Sequence, residues 1–409
     1  MRVAAAARES RRRVEALTPE LEARREPVYR RVHEAFARVG LTEPDLAPTT
    51  GYGYGARGRE KLDALFASVL GGEAALVRSQ IVSGTHAIRL GLLAALAPGD
   101  EVVVLTGPPY ETLLPLFDPV PVPGNLAHRG IRARIVDHFA EPPRDVAQWL
   151  SPRTRLVFLQ RSAGYSQRAS LGERELRPVL QRLAALGVAT LVDNCYGELV
   201  EPEEPLHWGA SLVAGSLIKN LGAALPVTGG YLAGRRELVE RAGAELTAPG
   251  LGGAVGASPQ GIRLEAQGLY QSPAAVGEML RTAMYAASLF ELLGFAVRPR
   301  FDAARTDVIQ CVTLGSRDAL VAACRALQAA SPVDANLVPE PAIMPGYAHE
   351  IVMAAGTFVQ GATSELSADG VAAPPHELFI QGGTSHVMAR LSLDRMAQTL
   401  EDLGLTPGR

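Results

Sequence analysis

The sequence predicts an α/β protein, with a large domain built on a mainly parallel sheet and a smaller C-terminal α/β domain. From Gly51 to about Ala287, short apolar runs of strand length alternate with stretches of helical spacing, the order expected of a parallel sheet covered on both faces. The chain is also long. Its 409 residues, 47% hydrophobic and 20% charged, can bury two cores.

Residues Arg2 to Val39 read as helix, because Leu17, Leu21, Val28, Val32 and Phe36 recur near helical spacing until Pro44 to Thr50 breaks the pattern. This segment, 1–50, is expected to be an arm whose apolar stripe has no obvious partner within the chain. In the large domain, 51–287, the strand runs are Leu76 to Val82, Val102 to Leu105, Arg155 to Leu159, Ala189 to Val192, Ser211 to Val213 and Gly230 to Ala233. The small domain, 288–409, carries a strand run from Asp307 to Val312, a helix near Ala319 to Ala329, a second run from Glu350 to Ala354 and a final helix. No internal repeat or low-complexity segment is visible.

Ligands in such sheets bind outside the carboxyl ends of strands. Ser83, Tyr110, Arg161 and Asp193 each follow a strand run, so one cleft can collect them. Asp193 closes the fourth run, in Val192-Asp193-Asn194-Cys195-Tyr196, and Lys219 lies farther on in Gly215-Ser216-Leu217-Ile218-Lys219-Asn220. An acid and a lysine so placed suit pyridoxal phosphate. The carboxylate keeps a pyridinium nitrogen protonated, so that the ring draws electrons from the substrate's Cα, while the amine holds the aldehyde. Either residue alone has a plainer reading, Asp193 as a cap and Lys219 as a solvated cation. The uncharged stretches Leu212 to Gly215 and Gly222 to Pro226 around the lysine point to an apolar pocket that lowers its pKa.

Upstream, Ile81-Val82 leads through Ser83-Gly84-Thr85 into the helical pattern of Leu90, Leu93 and Ala94. A small-residue turn opening a helix offers free N–H groups and the positive end of the helix dipole to a phosphate, and Gly84 permits close approach. An ordinary N-cap by Ser83 or Thr85 fits the same residues. Tyr110, in the turn after the second run, is placed to stack on a cofactor ring or simply to pack.

The net charge of −3 gives no reason to expect nucleic acid or a membrane surface as partner. Cys195, Cys311 and Cys324 have no metal-like spacing and form no even framework, which favours a reducing, cytoplasmic setting, with Cys195 a small buried residue. No run is long enough to span a bilayer, and the Arg-rich opening is interrupted by glutamates, as on a solvated helix face. Ser216-x-x-Lys219 lacks the partner motifs of the β-lactam-binding enzymes. The histidines are scattered, and no metal site is expected.

These residues, in this order, resemble the fold-type I pyridoxal phosphate enzymes and, more narrowly, the methionine γ-lyase-like or aluminium resistance family of the cysteine and methionine metabolism group. The likeness runs from Thr50 to Gly383 and includes Gly51-Tyr52-Gly53-Tyr54, Gly58-Arg59, Val82-Ser83-Gly84-Thr85-His86, Gln160-Arg161-Ser162, Gly164-Tyr165-Ser166, Gly215-Ser216-Leu217-Ile218-Lys219-Asn220, Met344-Pro345-Gly346-Tyr347 and Gln381-Gly382-Gly383. Departures cluster where a substrate would lie. Asn220-Leu221-Gly222-Ala223-Ala224 stands where the family has Asn-Pro-Gly-Gly-Gly, and Gly55-Ala56, His376 and Thr384-Ser385-His386 replace other family residues.

The resemblance implies pyridoxal 5'-phosphate as cofactor and a homo-oligomer, a dimer of dimers, acting on a small amino acid. The reaction it implies is γ-elimination or γ-replacement of a Cγ leaving group such as a thiol or halide. Lys219 would remove the Cα proton, Asp193 hold the ring nitrogen protonated, and Tyr110 act as acid toward the leaving atom. Ser83, Gly84, Thr85 and Ser216 would hold the phosphate and Tyr196 the phenolic oxygen. Arg161 is the choice for the substrate carboxylate, with a structural salt bridge as its other reading. Tyr54 and Arg59 are expected to reach the phosphate of a neighbouring subunit, against the plainer reading that the tyrosines pack in a Gly-rich turn. β-Elimination, transamination and a non-catalytic role in metal stress remain as alternatives.

Overall fold

The computed structural model describes residues 2–140, 145–164, 166–344 and 346–407. Tyr165 and Pro345, quoted among the family motifs, lie outside the described residues. In chain order the helices are α1 (Arg2–Val39), α2 (Arg57–Leu70), α3 (Gly84–Ala95), α4 (Leu114–Phe117), α5 (Glu173–Ala185), α6 (Arg236–Leu246), α7 (Arg263–Leu292), α8 (Arg317–Gln328) and α9 (His386–Asp402). The strands of the first sheet are β1 (Ala74–Arg78), β2 (Glu101–Val104), β3 (Arg132–Ile135), β4 (Thr154–Gln160), β5 (Ala189–Asp193), β6 (Leu212–Ser216) and β7 (Gly230–Gly234). Those of the second are β8 (Ala296–Arg298), β9 (Gln310–Thr313), β10 (Ala342–Ile343), β11 (Glu350–Ala354), β12 (Ser367–Val371) and β13 (Glu377–Gln381).

The chain divides into two compact units, Pro27–Gln271 and Met1–Glu26 with Ser272–Arg409. The first holds the seven-stranded sheet, in the order β1-β7-β6-β5-β4-β2-β3. Strands β6, β5, β4, β2 and β3 run parallel, while β7 is antiparallel to both β1 and β6. The central strands are apolar along their length because both faces of the sheet are covered, and Val102, Val103, Val104, Leu156, Val157, Phe158, Leu191 and Val192 are all fully buried. Strand β3 escaped the sequence reading, since Arg132-Ala133-Arg134-Ile135 is an exposed edge strand with alternating charge.

The second unit holds the antiparallel sheet β10-β11-β12-β13-β9-β8, with α8 and α9 against each other. Its core joins Tyr285, Leu289, Phe290, Leu320, Leu378, Leu393 and Met396 to Val3, Ala6, Ala7 and Val14 of α1. This corrects the view that the N-terminal stripe has no partner in its own chain. Leu17 and Leu21 also lie on this core, whereas farther along α1 Val28 and Val32 are buried and Phe36 meets Tyr270 edge to face at 5.1 Å. On the outer face Glu9 pairs with Arg12 and Arg13, as a solvated helix would.

Candidate active site

The site forms at the carboxyl edge of the parallel strands, within the unit Pro27–Gln271. Register sets Gln160 at the end of β4 beside Asp193, and Asp193 beside Ala214 of β6, two residues before Ser216. The chain then turns, and Lys219 follows three residues later. Facing these ends is the start of α3. A Cβ added to Gly84 would lie 3.2 Å from Cys195 Sγ and 3.5 Å from Ser216 Cβ, so the helix start, the turn after β5 and the end of β6 meet at one point. As the first two residues of α3, Gly84 and Thr85 have N–H groups with no intrahelical acceptor. Ser83 caps the helix, its Oγ accepting from His86 N at 3.1 Å, so the N-cap reading holds for that side chain. The buried Ser216 hydroxyl has only a 3.5 Å contact to Gly229 O.

Lys219 is half-buried, its Nζ lying 3.8 Å from the centre of the Tyr196 ring. Tyr196 is brought there by a turn in which it takes the left-handed conformation, at φ 68°. The surroundings of the amine differ from the expected apolar pocket. Burial disfavours the ammonium, but Tyr196, Cys195 and Asp193 outweigh it, and the lysine pKa is raised. The uncharged flanks lie in β6 and the turn after it, whereas the amine reaches groups supplied by the turn after β5. Asp193 is itself buried, its Oδ1 accepting from Cys195 N at 3.1 Å. Burial pushes this carboxyl up, and Lys219 offsets only part of that rise.

Tyr110 completes the group. Its hydroxyl lies 2.8 Å from Thr85 Oγ1, and its backbone N–H donates to Gln160 Oε1 at 3.1 Å. Burial, and then the charge of Asp193, raise its pKa and keep the phenol protonated. The structure therefore brings Gly84, Thr85, Tyr110, Asp193, Tyr196, Ser216 and Lys219 together. Three features fit pyridoxal phosphate: a helix start at Gly84 whose first N–H groups have no intrahelical acceptor, a buried acid at Asp193, and the Lys219 amine over the Tyr196 ring. One signal for this site went unread in the sequence. Of its 40 basic residues only Lys61 and Lys219 are lysines, and Lys61 is committed to Asp45 Oδ2 at 2.6 Å.

Arg161 does not join them. It is fully buried, with Nη1 donating to Asn194 Oδ1 at 2.6 Å and Gly197 O at 3.0 Å, Nη2 to Glu201 at 2.7 Å, and its plane near the Trp208 ring. The choice of Arg161 for the substrate carboxylate is corrected accordingly, since its donors are spent inside the protein. Arg161→Ala should lower unfolding stability by roughly 3–5 kcal/mol by taking the buried guanidinium away from Glu201 at 2.7 Å and from Glu204 at 3.9 Å, the second of which keeps Arg31 at 3.7 Å. Denaturant titration checks this, and an unchanged midpoint with a raised KM would restore the substrate role.

Arg59 is likewise committed, to the carbonyls of Gly53, Gly256 and Ala254 at 2.8–2.9 Å, where it fastens the Gly-rich turn. That occupation tells against a reach to a neighbour's phosphate. Tyr54 and Tyr52 stack on each other at 5.6 Å and stand outward, 64% and 70% exposed. Among the described residues no group of three or more His, Cys, Asp or Glu side chains is placed to hold a metal ion, and no helix is long and apolar enough to cross a membrane.

Fold and side chains together define a pyridoxal phosphate-dependent enzyme of fold type I. A family model described as methionine gamma-lyase matches residues 3–401. YnbB, an uncharacterized protein of Bacillus subtilis strain 168, is 42% identical over 366 residues, which cover 87% of this chain and 86% of that one. A crystal structure from Listeria monocytogenes strain 4b F2365, provisionally described as a cystathionine beta-lyase involved in aluminum resistance, is 37% identical with a TM-score of 0.93, covering 97% of this chain and 99% of that one. Another, from Clostridium novyi NT and described as a carbon-sulfur lyase involved in aluminum resistance, is 33% identical with a TM-score of 0.91, covering 97% and 95%. The chain belongs to the methionine gamma-lyase family. The coarse class these relationships support is a pyridoxal phosphate-dependent carbon–sulfur lyase.

Proposed function

We propose that the protein catalyses γ-elimination, or the related γ-replacement, on a small amino acid carrying a thiol, thioether or halide at Cγ. The observation that carries this reading is the Tyr110 hydroxyl, held 2.8 Å from Thr85 Oγ1 at the start of α3 and gathered with Asp193 and Lys219, where burial raises its pKa. Elimination needs an acid for the departing atom as well as a base for Cα, and this pair supplies both. Pyridoxal phosphate, when bound, supplies the electron sink for charge that develops at Cα. Gly84 and Thr85 N–H and the Ser216 hydroxyl would hold its phosphate. The Asp193 carboxylate would hold a proton on its ring nitrogen, and Tyr196 would donate to its phenolic oxygen. The Lys219 amine would take the Cα proton, a second proton would leave Cβ as departure from Cγ requires, and the Tyr110 hydroxyl would deliver a proton to a leaving sulfur or hydrogen-bond a leaving halide.

β-Elimination is the second reading, favoured by the description of the Listeria relative. Supplying amino acids substituted at Cγ or at Cβ and identifying the products by mass spectrometry separates the two. The γ reading expects ammonia and a four-carbon 2-oxo acid from the Cγ substrates. Pyruvate from Cβ substrates alone would replace it with the second reading, and amino transfer without ammonia would indicate an aminotransferase. The three cysteines, free and buried, suit a reducing cytoplasm.

The exposed Tyr54 supports a homo-oligomer in which a second copy meets the site, as a dimer or a dimer of dimers. Mixing inactive Tyr54→Ala subunits with inactive Lys219→Ala subunits should restore part of the activity, because hybrid dimers regain one intact site. Hybrids that assemble but stay inactive would place Tyr54 and Lys219 in one chain's site.

A further inference from the structure

Behind the lysine lies a buried acid that the proposed chemistry leaves unused. Glu198, in the turn after β5, has no exposed surface. Its Oε1 accepts from the Tyr231 hydroxyl at 2.8 Å, and its backbone carbonyl accepts from Asn220 Nδ2 at 2.9 Å. Asn220 directly follows Lys219. Tyr231 sits on β7 opposite Gly215 of β6, the residue before Ser216, and a Cβ at Gly215 would lie only 2.5 Å from the tyrosine oxygen. Glycine at 215 is therefore what lets Tyr231 reach the acid. The other carboxyl oxygen, Oε2, is buried with no hydrogen-bond partner.

We propose that Glu198 is a positioning residue for Lys219, bracing through Asn220 and Tyr231 the strand end and loop that carry Ser216 and the lysine, and setting the charge that the lysine amine faces. A glutamine would make the same contacts without the cost of burying an acid, so the geometry alone leaves the acid unexplained. The ionisable groups around it are Tyr231 on β7, Glu204 farther along its own segment, Lys219 after β6 and Cys195 in its own turn. Burial, with Glu204 adding to it, pushes the Glu198 carboxyl up to about 8, against the pull of Tyr231 and Lys219. Below that pH the acid is neutral. Above it the new negative charge favours the ammonium form of Lys219, so removing the acid must lower the lysine's midpoint.

This inference rests on the reading that Lys219 is the cofactor lysine, but its test does not need the cofactor. In a Lys61→Arg background Lys219 is the one remaining lysine, and its rate of modification by trinitrobenzenesulfonate can be followed against pH in cofactor-free protein, with peptide mapping to exclude the N-terminal amine. Glu198→Gln should lower the midpoint by roughly half a unit to one unit. Tyr231→Phe should leave the lysine midpoint near the parent's, because the acid stays in place and is ionised at the raised pH where the lysine titrates. An unshifted midpoint in Glu198→Gln protein that melts with the parent would overturn the proposal. Should Glu198→Gln fail to fold, Glu198→Met, which keeps the bulk of the side chain without its charge, decides by the same reading. If the cofactor attached elsewhere, borohydride mapping would show it while this titration still shifted, which keeps the two failures distinct.

Discussion

Lys219→Ala is expected to reduce turnover by roughly 10²- to 10⁴-fold, the range usually lost with a positioned general base. The amine stands over the Tyr196 ring within a cluster that holds Asp193, Cys195 and Tyr110, and no second lysine is near enough to take over. Lys61, the other lysine, is held by Asp45 and the Gly40 carbonyl. Lys219→Arg separates charge from chemistry. A guanidinium keeps a cation beside Asp193 and Tyr196 but does not give up its proton near neutral pH. Both variants should therefore be inactive, the arginine form with the stability closer to the parent. Turnover within about tenfold of the parent in Lys219→Arg would show that the amine is not the base.

Asp193→Asn should still take up the cofactor yet lose on the order of 10²- to 10³-fold in Cα deprotonation, comparable to removing one preorganised electrostatic partner. In the protein alone, burial drives this carboxyl toward its neutral form and Lys219 compensates only in part. A ring nitrogen that accepts the proton turns the strained acid into a charge-assisted pair, which a neutral amide cannot provide. Exchange of the substrate's α-hydrogen with heavy water, followed by NMR, reads this step directly. Exchange at the parent rate would remove Asp193 from the electron-sink role.

Much of this site was legible in the sequence, for identifiable reasons. Asp193, Ser216 and Gly84 stand at strand ends or a helix start; the continuous apolar run to Val192 fixes the end of β5 within one residue, whereas β6 runs three residues past Val213 to Ser216 and β1 ends at Arg78, four before Val82. The Ser83 cap was also readable, since a small hydroxyl before a helical run has few other uses. What could not be read was direction. Arg161 follows a strand end just as Asp193 does, but its side chain turns into a cluster of Asn194, Glu201 and Trp208, and nothing in one dimension distinguishes the two. The lysine's electrostatics were misjudged for a similar reason, because its immediate neighbours in sequence are not its neighbours in space. Edge strands such as β3 and β10 carry few buried residues and so leave little pattern. The Glu198–Tyr231 pair joins residues 33 apart through a gap that only glycine at 215 provides.

Borohydride reduction of the cofactor-loaded protein, followed by peptide mapping, tests the central claim most directly. Reduction makes the attachment permanent, and the chain offers only two lysines, Lys61 and Lys219, to carry it. The label is expected on the peptide containing Lys219, in stoichiometric amount, with Lys61 unmodified. Label on Lys61, or protein that binds the cofactor but retains none after reduction, would contradict the assignment of this site.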